Sequence, residues 1–295
     1  MDILYCGDEK IEDGLILSIL SLLKNVKEPL HIFVLTIYFC VEGKEYHPIS
    51  GYFAAALDKM VKKVNSNNFV SLIDITEMFC AQVPEANLGT RFTPCCMLRL
   101  FADKIPELPE KILYLDNDVI CRKDCSKFFH QDISDYEFAG VLDYYGRWLF
   151  RRNLLKPDYQ NSGVLLMNMQ MLRKSGLLQK CRELCAEKKM FMPDQSALNK
   201  LAVSKKIVPR RFNEQRRLQK DTVLQHFTTS FRFFPWLHVV TVKPWDIERM
   251  HSELNLYEYD KLLHTYRQLR SKIKAESQED VHEKIQGDHT SILYN

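Results

Sequence analysis

Glycine and proline are scarce in this chain of 295 residues, at ten and eleven, which excludes collagen-like and low-complexity classes. No uncharged apolar run reaches the roughly 18 residues a membrane-crossing helix needs. The longest apolar run, Ile32 to Cys40, has the length of a strand. A strong charge of one sign is also missing: 41 Lys and Arg stand against 38 Asp and Glu, a net of +3. Without a basic run interleaved with aromatics, no nucleic-acid partner is expected. The first residues, Met1 to Asp8, show no charged-then-apolar leader. Nine cysteines are scattered and odd in number. Cys95–Cys96 and the Cys121/Cys125 pair lack the partners a zinc pattern requires. Reduced thiols and a cytoplasmic location are therefore expected. What remains is 46% hydrophobic and 27% charged, enough for one sizeable α/β domain with at most a small appendage.

The order of elements supports that class. Ile3 to Cys6 reads as a short buried strand, and Asp13 to Leu23 as an amphipathic helix closed off by Pro29. Leu30 to Phe39 is β-branched and aromatic, as a central strand is. Ile49 to Val64 reads as a helix and Phe69 to Ile75 as a third strand. This alternation predicts a parallel, helix-covered sheet with its ligand edge beyond the carboxyl ends of the strands, near Asp8. Further helices are expected at Arg91 to Ile105 (Pro94 in the first turn), Met171 to Lys188 and Asp194 to Leu201. Phe138 to Asp143 and Gly163 to Asn168 read as strands, with strand-like pieces at Lys206 to Phe212 and Thr222 to Phe227. Residues 253–295 read as a C-terminal extension, a basic amphipathic helix from Tyr257 to Lys274 and then a polar tail. The domain proper is residues 1–252.

The chemistry concentrates where the apolar run Ile112 to Leu115 ends in Asp116-Asn117-Asp118. Two carboxylates two residues apart project to one side of an extended backbone and repel each other unless a cation sits between them. A hard divalent cation takes such oxygen ligands and can bridge a nucleotide diphosphate. A solvated turn capped by Asp is the plainer alternative.

Several ordered blocks surround this motif. They are Met1 to Asp8, the segment Met97-Leu98-Arg99-Leu100, Ile112 to Val119, Gln160 to Asn168, Pro193 to Asn199, Gln225-His226-Phe227 and Lys243-Pro244-Trp245. In order and spacing they resemble the family 8 glycosyltransferases, whose members include bacterial lipopolysaccharide galactosyl- and glucosyltransferases and the glycogenins. The resemblance spans roughly Asp2 to His251. It implies a GT-A fold, one Rossmann-like domain with a mixed, mostly parallel sheet flanked by helices, and transfer of a hexose from UDP-galactose or UDP-glucose with retention of configuration. Manganese, or magnesium, would be held by Asp116, Asp118 and His226, and two carboxylates with an imidazole suit manganese. Asp8 would meet the uracil ring, with Cys6 and Asn117 beside the nucleotide and Lys243 on the diphosphate. Arg99, Asn161, Asp194 and Gln195 would surround the sugar, and Asp143 would lie on the acceptor side. Plainer roles exist for several: a helix cap for Asp8 and Asp194, a salt bridge to Asp103 for Arg99, a solvated surface for Lys243. The chain departs from the family pattern at Lys10, at Ser196 and in the long stretch Thr228 to Val242 before Lys243.

Retention needs a nucleophile beneath the sugar or attack from the leaving-group face. The resemblance puts Gln195 at the former place, and a neutral amide is a poor nucleophile. Front-face attack is the expected course, with Asp194 as the carboxylate that would serve a double displacement. The acceptor is expected to be a glycan or lipid-linked. The helix Tyr257 to Lys274 either lies on an anionic membrane surface or packs on the core. A sugar nucleotidyltransferase and a catalytically idle sugar-nucleotide binder remain the alternatives. The former usually shows a glycine-rich phosphate loop near its start, which Gly7 alone does not make.

Overall fold

The computed structural model describes residues 1–88, 90, 93–144, 158–232 and 238–291. Thirteen strands occur among them: β1 (Asp2–Cys6), β2 (His31–Thr36), β3 (Phe39–Val41), β4 (Lys44–Tyr46), β5 (Phe69–Asp74), β6 (Lys111–Leu115), β7 (Val119–Cys121), β8 (Phe138–Leu142), β9 (Gln160–Asn168), β10 (Lys205–Ile207), β11 (Leu224–His226), β12 (Ser230–Arg232) and β13 (His238–Val240). Seven form one sheet in the order β10-β8-β9-β6-β1-β2-β5. All neighbours run parallel except β9, which is antiparallel to both β6 and β8.

Side-chain alternation along the strands builds a core on each face. From β1, Ile3 and Tyr5 enter one cluster and Leu4 the other; from β6, Leu113 and Leu115 oppose Ile112 and Tyr114. The first face is covered by the helices Glu12–Asn25 and Gly51–Val64, the latter capped by Ser50, whose hydroxyl accepts from Phe53 N. The second face is covered by the 3₁₀ segment Pro94–Lys104 and the helices Leu177–Glu187 and Pro193–Leu201.

Local chemistry revises several expected boundaries. The strand expected from Leu30 to Phe39 stops at Thr36, whose hydroxyl accepts from Ile49 N. Phe39 instead opens the β3–β4 hairpin, where Glu42 and Gly43 both have positive φ, 51° and 74°, as a two-residue turn of this hand demands. The helix expected from Met171 to Lys188 is two helices, Met169–Ser175 and Leu177–Glu187, broken by left-handed Gly176 at φ 65°. Of the helix expected from Arg91 to Ile105, Arg91 and Phe92 lie outside the described residues, and Pro94–Lys104 is 3₁₀ between extended Thr93 and Ile105. Lys206 to Phe212 divides into β10 and a 3₁₀ turn, Arg210–Phe212.

The C-terminal helix runs from Asp260 to Ser291, well into the expected polar tail. Its apolar residues Leu262, Leu263, Tyr266 and Ile273 are buried in the first core cluster. Arg270 pairs with Glu12 and Asp13 at the start of the first helix. Of the two readings of this segment, packing on the core is the one realised. The apolar stripe that would enter a lipid surface is already covered, and Lys261, Arg267, Lys272 and Lys274 face outward. No helix among the described residues is long and apolar enough to cross a membrane.

Candidate functional site

Four strand ends converge at one edge of the sheet. β1 leaves at Gly7-Asp8, β6 at Asp116 and β8 at Asp143, and antiparallel β9 begins there with Gln160-Asn161-Ser162-Gly163. Asp116 N donates to Gly163 O at 2.8 Å, so the acidic motif lies opposite the one residue of β9 without a side chain. A Cβ on Gly163 would stand 2.1 Å from His226 Cε1 and 2.5 Å from Asp116 Oδ2. His226 arrives on β11, whose antiparallel pairing sets it against Val119, and Phe227 N donates to Asp118 O at 3.0 Å.

The result is a cluster in which one ligand atom each from Asp116, Asp118 and His226 lies within 4.8 Å of the others. His226 Nε2 is 3.5 Å from Asp116 Oδ2 and 3.2 Å from Asp118 Oδ1. Its other nitrogen, Nδ1, bonds Asn213 Oδ1 at 3.2 Å, and Asn213 Nδ2 donates to Asn161 Oδ1 at 2.9 Å. Such a bond fixes an imidazole so that Nε2 faces the carboxylates, the usual support for a metal-bound histidine. Lys243 Nζ is ion-paired with Asp118.

Charge in this cluster outweighs burial. Burial alone would raise the carboxyls of Asp116 and Asp118. The Arg99 guanidinium and His226 hold Asp116 far below the ordinary range, and Lys243 and His226 lower Asp118. Burial works against the imidazolium and the Asp118 carboxylate works for it, so His226 is pushed up to about 9. Lys243 is likewise held charged by Asp118 despite its burial. A half-buried and a buried carboxylate, Asp116 and Asp118, that draw a proton onto a histidine and an ammonium onto one edge are a site that calls for positive charge. Their oxygen–oxygen–nitrogen donor set fits a divalent ion such as manganese, which would displace that proton.

Beside the cluster, Arg99 lies with Cζ 4.0 Å from the centre of the Tyr114 ring. It donates to Asp116 Oδ1 at 2.9 Å and to Ser162 O at 2.6 Å, and its Nε is 3.4 Å from Asp194 Oδ2. The plainer alternative for Arg99, a salt bridge to Asp103, is not formed among the described residues, where Asp103 pairs with Arg182. Asp194 is no helix cap either; it sits inside the first turn of Pro193–Leu201, where Ser162 Oγ donates to it at 3.0 Å. Gln195 is held at both ends of its amide, Oε1 accepting from Ser162 N at 2.9 Å and Nε2 donating to Asp143 Oδ2 at 2.8 Å. Asn161 donates to Asp143 and to Gln195.

At the other side of the cluster, Asp8 Oδ1 accepts from Lys10 N at 3.2 Å as a cap, while Oδ2 is buried without a hydrogen-bond partner. Desolvation raises its carboxyl above the ordinary value. The exposed Lys10 ammonium lies 4.0 Å from Oδ2, too far for a hydrogen bond, which leaves a buried acceptor at a ligand edge able to take a donor. Cys6 lies near Arg99 and Asp116, its thiol pushed up by burial. Asn117 turns from the cluster toward the first helix, where a Cβ on Gly14 would stand 2.5 Å from it and 2.9 Å from Trp245. Trp245 thereby ties the Lys243-Pro244-Trp245 segment to the acidic motif. Within the stretch Thr228 to Val242, β12 pairs antiparallel with β13, and residues 233–237 lie outside the described residues.

Sequence reasoning named the charged residues and missed the small or neutral ones that hold them: Tyr114, whose hydroxyl donates to Asp116 at 2.6 Å, Ser162, Gly163 and Asn213. Tyr114 was within reach of an alternation argument, since it precedes Asp116 by two. Asn213 carries no local signal at all.

A mixed, mostly parallel sheet with an acidic cluster at the carboxyl edge of its parallel strands is the arrangement of the GT-A transferases. A galactosyltransferase, LgtC, solved with donor and acceptor sugar analogues, superposes with a TM-score of 0.61 at 18% identity, covering 91% of this chain and 96% of that one, a likeness of fold. The sequence profile of glycosyl transferase family 8 matches residues 2–248, and the chain belongs to that family. A lipopolysaccharide 1,2-glucosyltransferase of Escherichia coli is 26% identical over 256 residues, 78% of this chain and 71% of that protein. Glycosyltransferase GlyA of Streptococcus pneumoniae is 37% identical over 107 residues, 35% of this chain, and the match spans 14% of that longer protein.

Proposed function

We propose that this protein is a retaining hexosyltransferase that moves galactose or glucose from a UDP-sugar to a glycan or lipid-linked acceptor, with a divalent metal, manganese by preference. The observation that carries the reading is the convergence of Asp116, Asp118 and His226 within 4.8 Å, with Lys243 on the same carboxylate. Residues 1–252 are read as the transferase unit, consistent with the family match to 2–248, and 253–295 as a helical extension. Contact of that helix with a membrane is not part of the reading, because its apolar face is buried.

Asp116, Asp118 and His226 would hold the ion, which when bound neutralises charge on the diphosphate leaving group. Lys243, drawn to Asp118, turns its ammonium to the departing diphosphate. Asp8 Oδ2, which has no hydrogen bond within the chain, accepts the ring N–H of uracil, with Cys6 and Asn117 lining the nucleotide side. Arg99, Asn161, Asp194 and Gln195 enclose the hexose, and Asp143 faces the acceptor. Gln195 is anchored at both ends of a neutral amide, and Asp194 is engaged by Arg99 and Ser162. Neither is a free nucleophile, which supports front-face attack, the leaving phosphate oxygen taking the acceptor's proton.

The test is incubation with Mn2+ and each UDP-sugar, reading free UDP. Slow release from one donor, abolished by chelation and by Asp118→Asn, is expected, and it names the sugar. Release from none would favour an idle binder. Pyrophosphate-forming exchange between UTP and a sugar phosphate would favour a nucleotidyltransferase.

A further inference from the structure

The acceptor edge of the site carries a charge pattern that the transfer reaction does not use. Between Arg210 and Asp221 the sequence places five basic side chains (Arg210, Arg211, Arg216, Arg217, Lys220) against two acidic ones (Glu214, Asp221). That excess equals the formal charge of the whole chain, +3. Arg210 is ion-paired with Glu214, whose carboxylate is buried. Among the described residues, the side chains of Arg216, Arg217 and Lys220 form no ion pair with a carboxylate.

Arg210 Cζ lies 5.9 Å from the centre of the Tyr144 ring, and Arg216 is held more closely over the same ring. Its Cζ lies 4.2 Å from the centre of the Tyr144 ring, which is 45% exposed. A guanidinium stacked on an aromatic face keeps its N–H fork in plane and directed past the ring, while a lysine there would be a wandering point charge. The backbone beneath is fastened by buried polar groups. Gln215 Oε1 accepts from Tyr144 N at 3.1 Å and Gln215 Nε2 donates to Leu142 O at 3.2 Å. Glu214 Oε1 accepts from Arg216 N at 2.8 Å. The same segment is joined to β11, Glu214 N donating to Leu224 O at 2.9 Å and Glu214 O accepting from His226 N at 3.0 Å, so the backbone beneath Arg216 is continuous with the cluster.

The stacked pair adjoins the sugar end of the site. Tyr144 follows Asp143, which bonds Asn161 and Gln195. Arg216 lies three residues from Asn213, which bonds Asn161 and His226, a span of at most about 10 Å of extended chain. Resting on the transferase reading above, we infer that the Tyr144–Arg216 platform is an acceptor subsite for a phosphate group, carried on the accepting sugar or the one adjoining it. A planar fork fixed in advance matches phosphate oxygens two at a time.

The experiment titrates the full chain, saturated with UDP and Mn2+ so that the diphosphate site is filled, with methyl glucoside 6-phosphate and with methyl glucoside. Preference for the phosphorylated probe is expected, falling with salt, lowered roughly tenfold or more in Arg216→Ala and less in Arg216→Lys. UDP affinity, read in the same series, should match in all three proteins, and its absence would strike the donor reading instead. The two probes behaving alike, whether bound or not, or an unchanged preference in Arg216→Ala, overturns the subsite. Sedimentation with phosphatidylglycerol vesicles that depends on Arg216, without a preference between the soluble probes, would assign the phosphate to lipid headgroups and overturn the glycan assignment.

Discussion

Gly163→Ala adds one methyl group at the centre of the site, and its effect can be worked from distances alone. The new carbon would stand 2.1 Å from His226 Cε1, 2.5 Å from Asp116 Oδ2 and 2.8 Å from His226 Nδ1. None of these is the loose end of a flexible side chain. His226 is fixed by β11 and by Asn213, and Asp116 by Arg99 and Tyr114. Relief requires the imidazole and the carboxylate to separate by about 1 Å, and overpacking of this kind typically costs about 1–3 kcal/mol. A shift of that size at a reacting centre is worth roughly 100-fold in rate. Mn2+ affinity should fall by about 10–100-fold, as when the support of a ligand is disturbed. Calorimetric Mn2+ titration and a thermal melt measure the two effects, with Gly51→Ala as the control, since a Cβ there meets nothing within 4 Å. A Gly163→Ala protein that binds Mn2+ as the parent does would refute the reasoning, because the three ligand side chains could not then be converging as described.

Three more outcomes follow from the same geometry. Asp8→Asn should raise the melting temperature at neutral pH while weakening UDP binding. The folded-state carboxyl is raised by desolvation, so its ionisation weighs against folding above the unfolded value, and the gain should vanish as pH falls below about 4; a melt difference that does not change with pH contradicts this. Asn213→Ala should lower Mn2+ affinity about tenfold or more with little loss of UDP affinity measured without metal; equal losses in both would mark Asn213 as purely structural. Asn199 clamps the start of β9, accepting from Gln160 N at 2.7 Å and donating to Gln160 O at 2.7 Å. Asn199→Ala should cost about 1–3 kcal/mol per orphaned group in urea unfolding, and a change within error would show that the clamp carries no stability.

Much of the site was legible because it consists of charge placed where charge is expensive. Asp116 and Asp118 end an apolar strand, and Lys243 precedes Pro-Trp; such residues stand out in any reading of the sequence. The sheet was legible for a related reason, since a strand covered on both faces must be apolar throughout. The helix break at Gly176 and the hairpin at Glu42–Gly43 were missed because each turns on one left-handed residue inside an otherwise continuous pattern. The partners of Arg99 were open in the sequence, with Asp103 one turn away. Tertiary placement of Tyr114 and Ser162 beneath its guanidinium decided for Asp116 and Asp194.

The C-terminal helix shows the same division. Its amphipathic pattern required an apolar partner without saying whether lipid or protein. The apolar side of the first helix and the acids Glu12 and Asp13 supplied one within the chain. By itself the sequence determined that a helix-covered sheet would present two carboxylates at its edge, because periodicity and burial act locally along the chain. The family resemblance named His226 as their partner, but only the tertiary structure decided that it would reach them on β11 through the gap left by Gly163. Convergence across more than a hundred residues depends on strand order and register, which no local pattern encodes.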